Sequence, residues 1–168
     1  DASDSVDPDV GDTLTYEWDF DGDGVANSTA VTATHTFDQG GSYRVKLTVA
    51  DQESAQDVDF QTVNVNCIPV CGISAPADGA SFFIGDAPTF NGGDSADSDG
   101  DVEGWSWSIT DSVGSLVATR AGAHVTNVFT APDTYTVSLT VTDDLGADSA
   151  AASISVIVPN RQPIASAG

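Results

Sequence analysis

Hydrophobic and polar residues alternate with a period of two in several stretches of this chain. Tyr16, Trp18 and Phe20 alternate with Thr15, Glu17 and Asp19, and Tyr43, Val45, Leu47 and Val49 alternate with Arg44, Lys46 and Thr48. Trp105, Trp107 and Ile109 are separated by Ser106 and Ser108, and Tyr135, Val137, Leu139 and Val141 by Thr136, Ser138 and Thr140. Successive side chains of a strand point to opposite faces, so this pattern predicts half-buried strands. Val58 to Val65 and Ala152 to Val158 predict two more. Turn clusters such as Asp38-Gln39-Gly40-Gly41 and Ala131-Pro132-Asp133 separate them, and no window sustains a helical period.

The strands belong to a repeat. Asp4-Ser5-Val6-Asp7-Pro8-Asp9 recurs as Asp94-Ser95-Ala96-Asp97-Ser98-Asp99, and Tyr16-Glu17-Trp18 falls on Trp105-Ser106-Trp107. Tyr43-Arg44-Val45-Lys46-Leu47-Thr48-Val49-Ala50-Asp51 recurs as Tyr135-Thr136-Val137-Ser138-Leu139-Thr140-Val141-Thr142-Asp143. Pro69-Val70 after the first unit is echoed by Pro163-Ile164 after the second, which marks a third start. Units of this length, built from short alternating strands, predict β-sandwiches. A Trp on the central strand and a Tyr opening the penultimate one are the marks of the immunoglobulin type. Val45 and Val137 stand two residues after those tyrosines, where antibody domains place a cysteine, so packing alone holds these cores.

The string Leu14-Thr15-Tyr16-Glu17-Trp18-Asp19-Phe20-Asp21-Gly22-Asp23-Gly24, followed by His35-Thr36-Phe37 and Gly41-Ser42-Tyr43-Arg44-Val45-Lys46-Leu47-Thr48-Val49, closely resembles the polycystic-kidney-disease-type (PKD) repeat. The second unit resembles a divergent PKD or related Ig-like module, with Trp-Ser-Ile-Thr where the family has Trp-Asp-Phe and an acidic glycine turn. The resemblance implies an all-β fold of tandem seven-stranded Ig-like sandwiches, usually found as arrays in secreted or cell-surface proteins. The expected organisation is a sandwich over 1–66 lacking its first strands, a second over 67–158, and a linker with the opening strand of a further repeat over 159–168.

Charge narrows the partners. Four Lys and Arg against twenty-six Asp and Glu give a net charge of −22, which repels nucleic-acid phosphates and anionic lipid headgroups. With 40% hydrophobic residues the chain nevertheless has enough apolar surface to fold. No apolar run reaches the length needed to span a bilayer, so no membrane insertion is expected. Cys67 and Cys71 are too few for a structural zinc site or a disulfide framework. They are expected to form one local bridge, which places the protein outside the cytosol.

Catalytic signatures are absent. There is no Gly-x-Ser-x-Gly elbow, no His-Glu-x-x-His and no phosphate-cradling glycine loop, and only His35 and His124 offer an imidazole as a base. The acidic clusters carry the stronger signal. Asp19-x-Asp21-x-Asp23-Gly24 has the opening spacing of an EF-hand calcium loop, although its twelfth position is Ala30 and its flanks read as strands. Asp7, Asp9 and Asp12, and in the second unit Asp97, Asp99 and Asp101, form turns just before the Trp strand. Some PKD-type modules hold calcium near such turns, so the resemblance implies calcium at these residues; the alternative is that Asp serves turn formation and solubility. Trp18, Trp105 and Trp107 read as core. Phe82 and Phe83 must point to opposite faces, so one is expected to be exposed or covered by a neighbouring module. Asn27-Ser28-Thr29 is an N-glycosylation sequon.

The function read from sequence is a non-catalytic spacer, stalk or adhesive segment of a large extracellular repeat protein, stabilised by calcium. Its partners are neighbouring repeats and, as alternatives, other copies head-to-tail or a polysaccharide or protein matrix. The rival classes are a filament subunit and an accessory module of a secreted hydrolase. Asp1 aligns with Asn91, so Cys67 to Phe90 has no counterpart in the first unit. The missing strands are expected upstream in a longer chain, or else from the tail of a neighbouring copy, with Ile164 inserted.

Overall fold

The computed structural model of the chain describes residues 1–9, 11–161, 163, 165 and 166. The chain divides into two compact units, Asp1–Cys67 and Ile68–Gly168, one residue beyond the boundary read from sequence. The first holds β1 (Thr15–Asp19), β2 (Gly41–Ala50) and β3 (Gln56–Val65), antiparallel in that order. The second holds β4 (Ala80–Ser81), β5 (Thr89–Asn91), β6 (Val102–Thr110), β7 (Leu116–Ala121), β8 (His124–Thr126), β9 (Asp133–Asp143) and β10 (Ala152–Val158). Its strands form a five-stranded sheet, β4-β10-β9-β6-β7, and a two-stranded sheet, β5-β8. The fold is all-β: among the described residues the second unit has the seven strands expected of a sandwich, and the first has three.

The alternation in sequence becomes alternation in burial. Along β9, Tyr135, Val137, Leu139 and Val141 are buried, while Thr134 and Thr136 face solvent. With Phe90, Trp107, Ile109, Val125, Phe129, Val156 and Val158 they form one core, each large apolar side chain contributing roughly 1.5–3 kcal/mol on leaving water. Polar edges of the aromatics are satisfied: the indole N–H of Trp107 donates to the Gly122 carbonyl at 2.9 Å and that of Trp105 to Gly92 at 3.0 Å. Trp18, half-buried in the first unit, donates to the Ala30 carbonyl at 3.0 Å. Both tyrosine corners form, Tyr43 donating to the Gln39 carbonyl at 2.8 Å and Tyr135 to that of Ala131 at 2.9 Å. Val45 and Val137 are buried at the positions picked out as cysteine replacements.

The first unit is open on its inner face. Leu47 and Val49 are only half-buried, whereas their counterparts Leu139 and Val141 are fully buried. Residues directly opposite in an antiparallel pair share a face, and β3 sets Asp57, Asp59 and Gln61 opposite Val49, Leu47 and Val45. In the second unit Ala152 and Ile154 stand opposite Leu139 and Val137. The inner face of β3 is therefore polar where that of β10 is apolar, which suits contact with water. Its apolar residues Val58 and Phe60 turn outward, and the Arg44 guanidinium lies 3.7 Å from the centre of the Phe60 ring.

The cysteines depart from expectation. Both are thiols, with no Cys67–Cys71 bridge. The Cys71 Sγ–H donates to the Leu139 carbonyl at 3.2 Å and packs against the second core, so bridging would require the sulfur to leave that seat. Phe82 and Phe83 diverge as expected: Phe82 packs on the core and Phe83 is exposed, with the Arg161 guanidinium 4.0 Å from its ring centre. Ile164, assigned to strand exchange, lies outside the described residues.

Candidate metal centre

The acidic loop of each unit is built in the same way. The Ser5 N–H donates to the Ala2 carbonyl at 3.1 Å, and in the second unit the Ser95 N–H donates to the Gly92 carbonyl at 3.1 Å. These bonds turn the chain at the start of each acidic loop, before the Trp strand. Asp7, Asp9 and Asp12 can each present an oxygen within 4.8 Å of the others. The Asp9 N–H donates to Asp7 Oδ1 at 2.8 Å, which draws these two residues into one small turn.

Asp19, Asp21 and Asp23 also converge within 4.8 Å, at the end of β1. Asp19 is buried; its Oδ1 accepts the Gly22 N–H at 2.6 Å and its Oδ2 the Gly24 N–H at 3.0 Å. Gly22 and Gly24 have φ of +77° and +84°, a conformation that explains glycine at both places. The Asp23 N–H beside Asp21 holds its carboxyl below the usual carboxylate range, against the opposing effect of desolvation. The Asp-x-Asp-x-Asp-Gly spacing thus closes a turn after a strand, with no helix on either flank. The Ala30 carbonyl, at the twelfth position, is engaged by Trp18.

The second unit uses different residues. Asp97, Asp99 and Asp101 do not gather into such a group, and no third group of three does so among the described residues. Instead Asp144, from the turn after β9, closes on the loop. Its N–H donates to the Asp101 carbonyl at 3.0 Å, and its Oδ1 accepts the Asp101 N–H at 3.3 Å. A Cβ placed on Gly100 would run into Asp144 Oδ1 and stand 3.1 Å from Asp97 Oδ2, so both carboxylates converge on the space glycine leaves open. Asp97 Oδ2 is buried without a hydrogen-bond partner. A carboxylate oxygen in that state is costly unless it is protonated or bound to a cation. All donors here are oxygens, the donor set preferred by hard divalent cations such as calcium. Sequence reading missed Asp144 because it is remote from the loop; the signal was the doublet Asp143-Asp144 closing the Tyr-led strand. The first unit has Asp51-Gln52 at that point, and Gln52 donates instead to the Thr13 hydroxyl at 3.2 Å.

Neither histidine is arranged for proton transfer. His35 stacks on Phe20, with ring centres 4.7 Å apart, and meets Phe37 edge-on. His124 is exposed on β8. The Asn27 side-chain Oδ1 accepts the Phe20 N–H at 2.6 Å, so the sequon asparagine also shapes its loop. Among the described residues no helix is long and apolar enough to cross a membrane.

The chain is similar to several known proteins. The "Pre-pro-metalloprotease PrtV" of Vibrio cholerae serotype O1 (strain M66-2) is 32% identical over 140 residues, covering 82% of this chain and 14% of that protein. The chain therefore spans about one-seventh of the length of this relative. The PKD1 domain of Vibrio anguillarum Epp is similar over 56% of this chain and 99% of that one, at 27% identity and a TM-score of 0.41. Fibronectin(III)-like modules of Clostridium thermocellum CbhA are similar over 86% of this chain and 77% of that one, at 19% identity and a TM-score of 0.45. The PKD domain family itself matches residues 1–67 and 74–158, both units in turn. With two matched copies covering nearly its whole length, the chain belongs to the PKD domain family.

Proposed function

We propose that this chain is a non-catalytic structural segment of a large extracellular repeat protein, a spacer or stalk whose loops are stiffened by calcium. The observation that carries the calcium reading is the buried, unpartnered Asp97 Oδ2 facing the same opening as Asp144. A divalent cation there would be held by Asp97 and Asp144, with Asp99 and Asp101 on the same loop. In the first unit it would be held by Asp7, Asp9 and Asp12 or by Asp19, Asp21 and Asp23. Nine acidic residues between Asp1 and Asp23, with no basic residue among them, repel one another, and ligation turns that repulsion into binding. The partners are neighbouring repeats, whose spacing such a segment maintains, and a polysaccharide or protein matrix outside the cell.

A second reading has support of its own. The relative that covers 82% of the chain is a metalloprotease precursor, which favours an accessory module attached to a secreted hydrolase. Both readings are extracellular and non-catalytic, and both are served by calcium. Calorimetry with millimolar calcium or with EDTA, at constant ionic strength, tests the shared part. Stability should rise by about 2.7 kcal/mol at a hundredfold excess over the dissociation constant, and an unchanged melting temperature would refute it.

A further inference from the structure

On their outward side β2 and β3 carry a patch that the second unit lacks. Arg44 and Lys46 are alternate residues of β2, so their side chains stand on one face, roughly 6.7 Å apart along the strand. Across the register Lys46 is opposite Phe60 and Thr48 opposite Val58, and these two apolar residues are 43% and 40% exposed. The equivalent side of the second unit sets Thr136 opposite Ser155 and Ser138 opposite Ser153. Thr136 and Ser153 are exposed there although all seven strands of that unit are in place, so exposure of this side is a property of the fold, met in the second unit by hydroxyl side chains. The two cations and the phenyl ring are an addition of the first unit.

These cations are unused within the chain. Lys46 and Arg44 are two of four basic residues among twenty-six acidic ones, yet among the described residues neither makes an ion pair or a hydrogen bond. Asp19, opposite Lys46 on β1, turns its oxygens to the N–H groups of Gly22 and Gly24. Arg120 of the second unit, by contrast, donates to the carbonyls of Thr119 and Thr126 and to Asn127 Oδ1. The Arg44 guanidinium rests 3.7 Å from the centre of the Phe60 ring, which holds it in place and leaves its N–H groups for an acceptor from outside.

We infer that this patch binds a short extended peptide segment of a partner protein, with carboxylates at alternate positions. Alternate side chains of an extended segment recur on one side at the spacing of Arg44 and Lys46, so one carboxylate meets the guanidinium and the next meets the ammonium. A guanidinium takes a carboxylate through two parallel N–H···O bonds, and the ring beneath it fixes that fork before binding. Val58 and Phe60 border the cations with apolar surface, which lowers the local dielectric and makes the pairs stronger than ordinary surface pairs. The charge of the whole chain sets the length of the ligand. A net charge of −22 repels a long polyanion, nucleic acid or acidic polysaccharide, all along its course, whereas a segment with two or three carboxylates ends at the patch. Charges beyond about 8 Å are screened from it at physiological salt.

Binding at this patch needs neither calcium nor a role in an array, so it is tested in EDTA. The probe is a synthetic peptide, blocked at both ends, in which threonine alternates with three aspartates, titrated into the full chain. In two-dimensional NMR the amide signals of residues 44–48 and 58–62 should shift, while those of Thr136 and Ser138 stay in place. A peptide of the same composition with its aspartates adjacent should bind several-fold more weakly, and one with asparagine for aspartate should not bind. Arg44→Thr together with Lys46→Ser, residue types that the second unit already carries at these places, should weaken binding about tenfold. A titration that shifts nothing or shifts other faces, equal affinity for the two aspartate peptides, or parent-like affinity in the double variant would overturn the inference. The signal map and the peptide comparison use the parent chain, so they decide the matter whether or not the variant folds.

Discussion

The Tyr135 hydroxyl donates to the Ala131 carbonyl at 2.9 Å from a buried position, fastening the turn before β9 to the strand it opens. Replacing Tyr135 with Phe leaves that carbonyl without its partner and should cost about 1 kcal/mol, read from the urea midpoint. Burial pushes the Tyr135 phenol above its ordinary value of 10.0, and the nearby charges of Asp133 and Asp111 push it the same way. With the folded value raised, the neutral form is favoured by folding. This contribution is fully present below pH 10 and is lost as pH rises through the folded-state value. Stability should fall above pH 10 more steeply in the parent than in Tyr135→Phe, and equal slopes would contradict this account.

Gly92 faces the packed interior of the second unit. A Cβ there would lie 2.6 Å from Leu139 Cδ2 and 3.0 Å from Trp107 Cζ2, both on large core side chains. Gly92→Ala should destabilise by about 1–3 kcal/mol through overpacking. Gly93→Ala, whose nearest neighbours are the Asn91 and His124 side chains, should cost less. Denaturant titration followed by tryptophan fluorescence compares the two.

Asp144→Asn tests the calcium reading residue by residue. In EDTA the variant should be as stable as the parent or slightly more so, since one of several crowded negative charges is gone. In calcium it should lose the second unit's share of the rise in melting temperature. Asp38→Asn, a charge removal outside the acidic clusters, should keep the full response. A calcium response in Asp144→Asn equal to the parent's would remove Asp144 from the site.

The thiols have a direct readout. Alkylation in denaturant without reductant should add two adducts to the intact mass, one at Cys67 and one at Cys71. A species that resists alkylation and weighs two protons less would instead establish the bridge expected from sequence.

Much of this was legible from local pattern. The period of two placed the central strands, and the recurrence of Tyr43 to Asp51 at Tyr135 to Asp143 identified two units of one family. The tyrosines opening those strands announced their corners four residues upstream. The phase of β3 was less accessible. Val58 and Phe60 alternate like core residues, but pairing with β2 puts Asp57, Asp59 and Gln61, themselves exposed, on the face of Val49, Leu47 and Val45 and turns Val58 and Phe60 to the other. A one-residue change of phase exchanges the two faces of a strand, and only the register decides which face is buried.

The candidate site divides along the same line. The sequence by itself determined that acidic turns precede each Trp strand, because Asp and Gly at fixed spacing dictate the local turn that gathers Asp7 with Asp9 and Asp19 with Asp23. Only the tertiary structure decided that the Asp97 and Asp144 carboxylates border the same space beside Gly100 and that the Cys71 sulfur packs against the core. The hydrogen bonds between Asp101 and Asp144 join a loop to a distant hairpin, and such contacts depend on strand order in the sheet. Chain spacing encodes what neighbouring residues do to one another, whereas the meeting of remote carboxylates and the burial of a thiol are properties of packing.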